Sequence, residues 1–390
     1  MFTVLSTRRK VLTRAALFVA SFALAACDPV ASNNGPGLDP GAPVQVALIL
    51  PGGSGNSSDE VLASNLKKAA DLAIADLGGV EIDLRVYNAG SDPATSAAVA
   101  RQAVDEGAKI ILGPVFAEAA NAAGVAVAGS GVNVLSFSNN TDIAGGNVFV
   151  LGPTFQNTAN RLVSYAARTG KGRIMVVHDQ NPAGDLGRRA IEAAAGRSGA
   201  TIVGTATYPF SQQGVISAAP AIAASVKSTG ASSVFLTADT AGALPLLAQL
   251  LPEAGVSSQS TQFIGLTRWD IPSGTLSMPG IQGGWFAMPD QGLTAQFENR
   301  FLATYGTSPH PIAGLAYDGI AAIGALVKQG NSNALSASAL TQGSGFAGVT
   351  GVFRLLPNGT NERGLAIAQI KNAQVVVIDP APRSFGGAGF

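Results

Sequence analysis

Short apolar runs alternate with alanine-rich helical stretches along most of this chain, and that alternation limits what it can fold into. Residues 44–51 (VQVALILP) are apolar enough to form a strand covered on both faces. Residues 60–77 carry apolar side chains at helical spacing until Gly78-Gly79 ends the run. Residues 82–88 (IDLRVYN) are the next strand. Asp92-Pro93 then opens a helix to about Glu106, with proline in the first turn where its missing N–H costs nothing. Residues 109–114 (KIILGP) read as a third strand, a helix follows from about Phe116 to Ala128, and residues 132–138 (VNVLSFS) read as a fourth strand. After Thr154 the rhythm resumes with a helix to Arg168, strand 173–179, a helix to about Gly196, strand 201–208, a helix to Ser228, strand 233–238, a helix to Leu251 and strand 262–266. Strands joined through helices need crossover connections, so each series predicts a parallel sheet flanked by helices. Two series, in a stretch too long for one core, predict an α/β fold of two doubly wound lobes.

The finish differs. Residues 293–305 and 311–328 read as helices, and 351–355 (GVFRL) and 365–379 (LAIAQIKNAQVVVID) as strands. The turn signals Pro357-Asn358-Gly359 and Asn372-Ala373 predict antiparallel pairing there. Only 12% of residues are charged, and alanine and glycine are abundant, which suits helices packed closely on a sheet and does not suit disorder.

Residues 1–27 have another layout. Arg8, Arg9, Lys10 and Arg14 precede an uncharged run over residues 15–24, and small residues lead to Cys27, the only cysteine. This is the order of a secretory signal. The run is too short for a membrane span, which needs about 20 apolar residues. Leu24-Ala25-Ala26-Cys27 resembles the lipobox of bacterial lipoproteins, which implies cleavage before Cys27 and lipid attachment to its thiol. Residues 7–12 (TRRKVL) resemble a twin-arginine export motif, and Asp28 resembles the acidic second residue that holds some enteric lipoproteins in the inner membrane. Residues 28–43, rich in Pro, Gly, Asn and Asp, read as a tether spanning roughly 20–25 Å. Removing the leader takes four of the 24 basic residues and no acid, so the mature chain is net negative. With no basic run and no interleaved aromatic set, nucleic acid is not an expected partner.

The chain lacks the residues of common catalytic and metal sites. His178 and His310 are the only histidines, and no HExxH or CxxC motif occurs, so no metal and no cofactor is expected. There is no GxSxG elbow or phosphate-binding GxxxxGK loop. Ser64-Asn65-Leu66-Lys67 matches S-x-x-K but lies inside a helical run, with no KTG after it. An enzyme is not expected.

From about Val44 to Phe390, the order and spacing of these elements resemble type I periplasmic binding proteins, specifically the leucine/isoleucine/valine-binding family. The residues that carry this are VALILP, NAGSDPATSAAVARQAVDEGAKIILGP, VLSFSNN and PTFQNTANRLVSYAARTGKGRIMVVHDQNPAG. The resemblance implies two parallel-sheet lobes joined by a hinge of three crossovers. The first lobe would hold residues 44–151 and about 286–344, the second 152–285 and about 345–390. It also implies capture of an amino acid or similar small polar solute for an ABC-type permease. The C-terminal third (GLAYDGIAAIGALV, GFAGVTGVFRLLPNGTNERGLAIAQI, VVVIDPAPRSF) looks like a lipoprotein branch of the same superfamily, the penicillin-binding protein activators. That branch implies the alternative of contact with a peptidoglycan synthase.

Open α/β sheets bind ligands outside the carboxyl ends of their strands. In the first lobe those loops offer Ser54, Asn56, Ser57, Val115, Phe116, Ser136, Ser138 and Asn140. In the second they offer Asp179, Asp239, Thr267 and Trp269. The resemblance implies a carboxylate held by hydroxyl and backbone groups of the first lobe, and an ammonium held by an acid of the second. Here Phe116-Ala117-Glu118 stands where the family shows serines, and Thr267 where its acid would align, with Asp239 as a substitute. Each candidate has a plainer alternative: Ser54 and Ser57 as loop and cap residues, Asp239 as a helix cap, Trp269 and Trp285 as packing. Tyr317-Asp318 is expected within a helix packed at the hinge.

Overall fold

β1 (Val44–Leu50) is buried over almost its whole length, as an apolar run must be when helices cover both faces of its sheet. The structure, a computed structural model, describes residues 35–39 and 41–386. Cys27, the expected leader and residues 28–34 lie outside the described residues. Around β1 stand β2 (Ile82–Asn88), β3 (Ile110–Leu112), β4 (Asn133–Ser136) and β5 (Val148–Val150), all parallel, in the order β2-β1-β3-β4-β5. The register sets Val46 beside both Leu84 and Ile110. Helices α1 (Ser57–Asp76), α2 (Pro93–Asp105) and α3 (Ala117–Val127) make the crossovers. The N-cap of α2 is Asp92, whose carboxylate accepts from the Thr95 N–H at 2.7 Å.

The second sheet starts after α4 (Phe155–Arg168), which opens on a capping box between Thr154 and Asn157. It takes in β6 (Arg173–Asp179), α5 (Pro182–Ser198), β7 (Thr201–Tyr208), α6 (Gln212–Ser228), β8 (Ser233–Leu236), α7 (Leu244–Glu253), β9 (Gln262–Gly265) and β10 (Trp285–Met288). Strands β7, β6, β8, β9 and β10 run parallel. The chain then returns to the first sheet through α8 (Gln291–Tyr305) and α9 (Gly314–Val327), whose Phe297, Phe301, Ile320 and Ile323 share a core with Leu48 and Leu112. A small antiparallel sheet of β11 (Phe346–Gly348), β12 (Gly351–Leu355) and β13 (Asn361–Arg363) places Phe346, Phe353 and Leu355 in that same core. Finally β14 (Ala366–Lys371) and β15 (Gln374–Asp379) add antiparallel strands beside β10. Their turn is Asn372-Ala373, both at positive φ (53° and 59°), the backbone of a two-residue hairpin.

The chain therefore crosses between two helix-flanked sheets three times: after β5, after β10 and between β13 and β14. This is the two-lobed α/β architecture expected. Strand β10 was not expected, and the second crossover follows it at Met288. The segment before β1 also differs from a free tether. Leu38 is buried, and its N–H donates to the Ser332 carbonyl at 2.9 Å beyond the end of α9.

Two residues of β13 draw the crossovers together. The Asn361 side-chain amide donates to the carbonyls of Val150 and Gly152 at 2.7 and 2.9 Å, while the Asn361 backbone carbonyl accepts from the Asn157 side-chain amide at 2.8 Å. The Arg363 guanidinium donates to the Leu151 carbonyl and pairs with fully buried Asp318 of α9 at 3.2 Å. It also reaches Thr350 Oγ1 at 3.2 Å, and the Thr350 carbonyl accepts from the N–H of Asp290 at the second crossover. Asp318 accepts the Val349 N–H at 2.8 Å, and Tyr317-Asp318 lies in the hinge-side helix as expected.

Candidate functional site

Strand order reverses between β1 and β3 in one sheet and between β6 and β8 in the other. Crevices at the carboxyl ends of such switch points are where open α/β sheets hold ligands. Ser54, Asn56 and Ser57 follow β1, Val115 and Phe116 follow β3, Asp179 ends β6 and Asp239 follows β8. Between β1 and β3 the backbones are close: a Cβ on Gly113 (φ +89°) would meet the Ile49 carbonyl oxygen at 2.2 Å.

Most of the polar groups expected to meet a ligand are tied up locally. Ser54 Oγ donates to Asp59 at 2.9 Å and accepts from the Asn56 N–H at 3.1 Å. Asn56 caps α1, accepting from the backbone and hydroxyl of Ser58, and Ser57 is exposed as the first helical residue. Ser136 is fully buried and donates to the Pro114 carbonyl at 3.0 Å. Ser138 is buried and accepts the Asn140 N–H at 3.1 Å, and Asn140 in turn accepts from the Asp142 N–H at 2.9 Å. Val115 packs half-buried against the first core. Phe116 opens α3 with no side-chain cap, so first-turn N–H groups are left for solvent or an anion.

In the second lobe, Asp179 is buried and accepts from Thr237 Oγ1 at 2.9 Å and from the Asn181 amide. Asp239 accepts the Gly242 N–H at 2.5 Å, which closes the turn ahead of α7; the N-cap of α7 is Ala243, so Asp239 is not the helix cap given as its alternative. Thr267 Oγ1 leans toward the Ala238 carbonyl at 3.5 Å. Trp269 has no exposed surface, and Trp285 is buried edge-on to Tyr165 with ring centroids 4.9 Å apart. Both tryptophans are therefore interior residues, and Trp269 offers a ligand no surface. Burial pushes the Tyr208 phenol up, helped by the nearby charges of Asp179 and Asp239.

Open space where the lobes meet lies to one side of these loops. Two adjoining cavities of about 660 and 480 Å³ share Asp142, Leu186 and Arg189. The first lobe contributes Asn139, Asn140, Thr141 and Asp142 from the turn between β4 and β5. The second contributes His178, Gln180, Asn181 and Thr207 at the ends of β6 and β7, and Gln156, Asp185 and Arg189 from α4 and α5. Of the residues expected at the site, Asn140 lines this groove. Asp142 and Arg189 were not expected, because isolated polar residues in helices and turns give no periodic or motif signal. The groove mixes polar and apolar lining, takes residues from both lobes and is large enough for a small solute. Among the described residues no His/Cys/Asp/Glu group could hold a metal ion.

The sequence matches a family described as periplasmic binding protein over residues 43–374. No curated protein matches the sequence. Among solved structures, a Rhodospirillum rubrum protein assigned to a branched-chain amino acid ABC transporter superposes with a TM-score of 0.73 at 17% identity, covering 86% of this chain and 100% of that one. An ABC transporter substrate-binding protein from Desulfitobacterium hafniense, solved with leucine, gives 0.61 at 19% identity, covering 86% and 100%. A solute-binding protein from R. palustris, solved with benzoate, gives 0.54 at 17%, covering 90% and 99%.

Proposed function

The chain belongs to the periplasmic binding protein family, whose members bind solutes outside the cytoplasm and are not enzymes, and from that premise we propose that it captures an amino acid or similar small polar solute between its lobes for an ABC-type importer. The observation that carries this reading is the groove at Asp142, Leu186 and Arg189, lined from both sheets beside a hinge of three crossovers. A ligand that bridges two hinged lobes favours their closed arrangement, the state an importer would distinguish from the empty one. Two of the similar structures hold leucine and benzoate, both carboxylates, which is in keeping with a small anionic or zwitterionic solute.

A thermal-shift and calorimetry screen of the whole chain against amino acids, short peptides and muropeptides tests the reading. A true ligand at 100 times its Kd should stabilise the fold by about 2.7 kcal/mol. No shift with any of them, together with capture of a peptidoglycan synthase, would overturn transport.

The proposal includes a lipid anchor at Cys27, supported by the basic, apolar and small-residue order before it. Among the described residues no helix is long and apolar enough to cross a membrane. Cys27→Ser should abolish incorporation of labelled palmitate and release the chain from the membrane fraction. Palmitate incorporation persisting in that variant would remove Cys27 as the anchor.

A further inference from the structure

We infer that the solute is held with its anionic end on Arg189 of the second lobe and its cationic end on Asp142 of the first, the reverse of the polarity that the family resemblance implies. The inference rests on the solute-binding reading and adds to it which residues meet the charges.

The argument is one of availability. In the second lobe the acids near the cleft are already partnered. Asp179 accepts from Thr237 and Asn181, Asp239 from the Gly242 N–H, and Asp270 holds Arg268 through both oxygens. Asp185 stands 3.8 Å from both His178 and Arg188. Of the cations there, Arg268 is held by Asp270 and Arg188 pairs with Glu192 at 2.7 Å. Arg189 is exposed in the groove and makes no hydrogen bond or ion pair among the described residues.

The first lobe presents the opposite sign. Its cleft loops, residues 51–60, 88–93, 113–118 and 136–142, contain Asp59, Glu60, Asp92, Glu118 and Asp142 and no Lys, Arg or His. Asp59, Glu60 and Asp92 are engaged with Ser54, the Gly53 N–H and Thr95, and Glu118 is not among the residues lining the two cavities. The Asp142 carboxylate has no partner among the described residues and lines both cavities together with Arg189. A solute carboxylate placed against the first lobe would face these acids without a counter-charge. Turned round, it meets Arg189, while its ammonium meets Asp142. Leu186, between the two cavities, gives an apolar contact for the rest of the solute.

The test measures affinity of the whole chain for the common amino acids, each also as its C-terminal amide and its N-acetyl derivative. The expected wild-type result is a free amino acid that binds and loses affinity on either modification. Arg189→Gln should weaken that amino acid about 10–100-fold, the worth of a charged hydrogen bond, and abolish the preference for acid over amide. Asp142→Asn should weaken it similarly and abolish the preference for free amine over N-acetyl. Both side chains are exposed and unpartnered, so unchanged denaturation midpoints should show that folding is intact. Binding in which both variants stay within threefold of wild type, or in which Asp142→Asn removes the acid preference, overturns this polarity and leaves the solute-binding reading standing. Binding of none of these compounds overturns the polarity, and if peptides and muropeptides fail as well, the solute-binding reading falls with it.

Discussion

Arg363→Ala is expected to destabilise the fold by about 3–5 kcal/mol, read as a fall in the guanidinium midpoint. The guanidinium is almost wholly buried and is the counter-charge of an aspartate with no exposed surface. Burial pushes the Asp318 carboxyl up against the pull of Arg363, so removing the cation leaves a buried carboxylate without its counter-charge, held by the Val349 N–H. The loss should therefore depend on pH. A carboxyl whose folded pKa lies above its unfolded value favours the fold at low pH, and that contribution disappears as pH rises through the folded value. The deficit of Arg363→Ala relative to the parent should be full at neutral pH and shrink in acid. Adding Asp318→Asn should recover much of it at neutral pH, since an amide needs no counter-charge and its oxygen can still accept from Val349. A single-variant loss below about 1 kcal/mol, the range of exposed ion pairs, would mean that the pair does not hold the hinge.

The fold was largely legible because its long elements carry their own signals. The apolar run of β1, the Asp92-Pro93 start of α2 and the Asn372-Ala373 turn each predict the geometry observed. Several short strands were not legible, though β3 was marked by its apolar run. β5, β11 and β13 have three residues each, too few to show a period, and they exist because neighbouring strands pair with them. The site was legible only as a set of loops. Topology places Ser54, Phe116 and Asp239 at strand ends, but whether a polar group faces a ligand depends on its local partners: Asn56 turned out to cap α1, and Asp239 to close a local turn onto Gly242. Asp142 and Arg189 line one groove only because the chain crosses between lobes after β5, far from either in sequence logic.

Trp269→Ala is expected to cost about 3–5 kcal/mol through the cavity it leaves, with Trp269→Phe costing less. The indole, in the second core, packs against Gly265 and Gly284. A Cβ on Gly265 would come within 2.3 Å of the ring and one on Gly284 within 2.5 Å, so these positions are shaped to the ring. Its Nε1 finds no acceptor, so packed volume, and not a hydrogen bond, is what the side chain supplies. An aromatic residue after a strand end gives the same sequence signal whether it stacks on a ligand or fills the interior, and burial decides between the two. The variants separate the roles. If Trp269 is interior, Trp269→Phe lowers the denaturation midpoint while the still-folded protein keeps its solute affinity. If it touched the solute, affinity would fall with little change in midpoint, and that result would return Trp269 to the binding site.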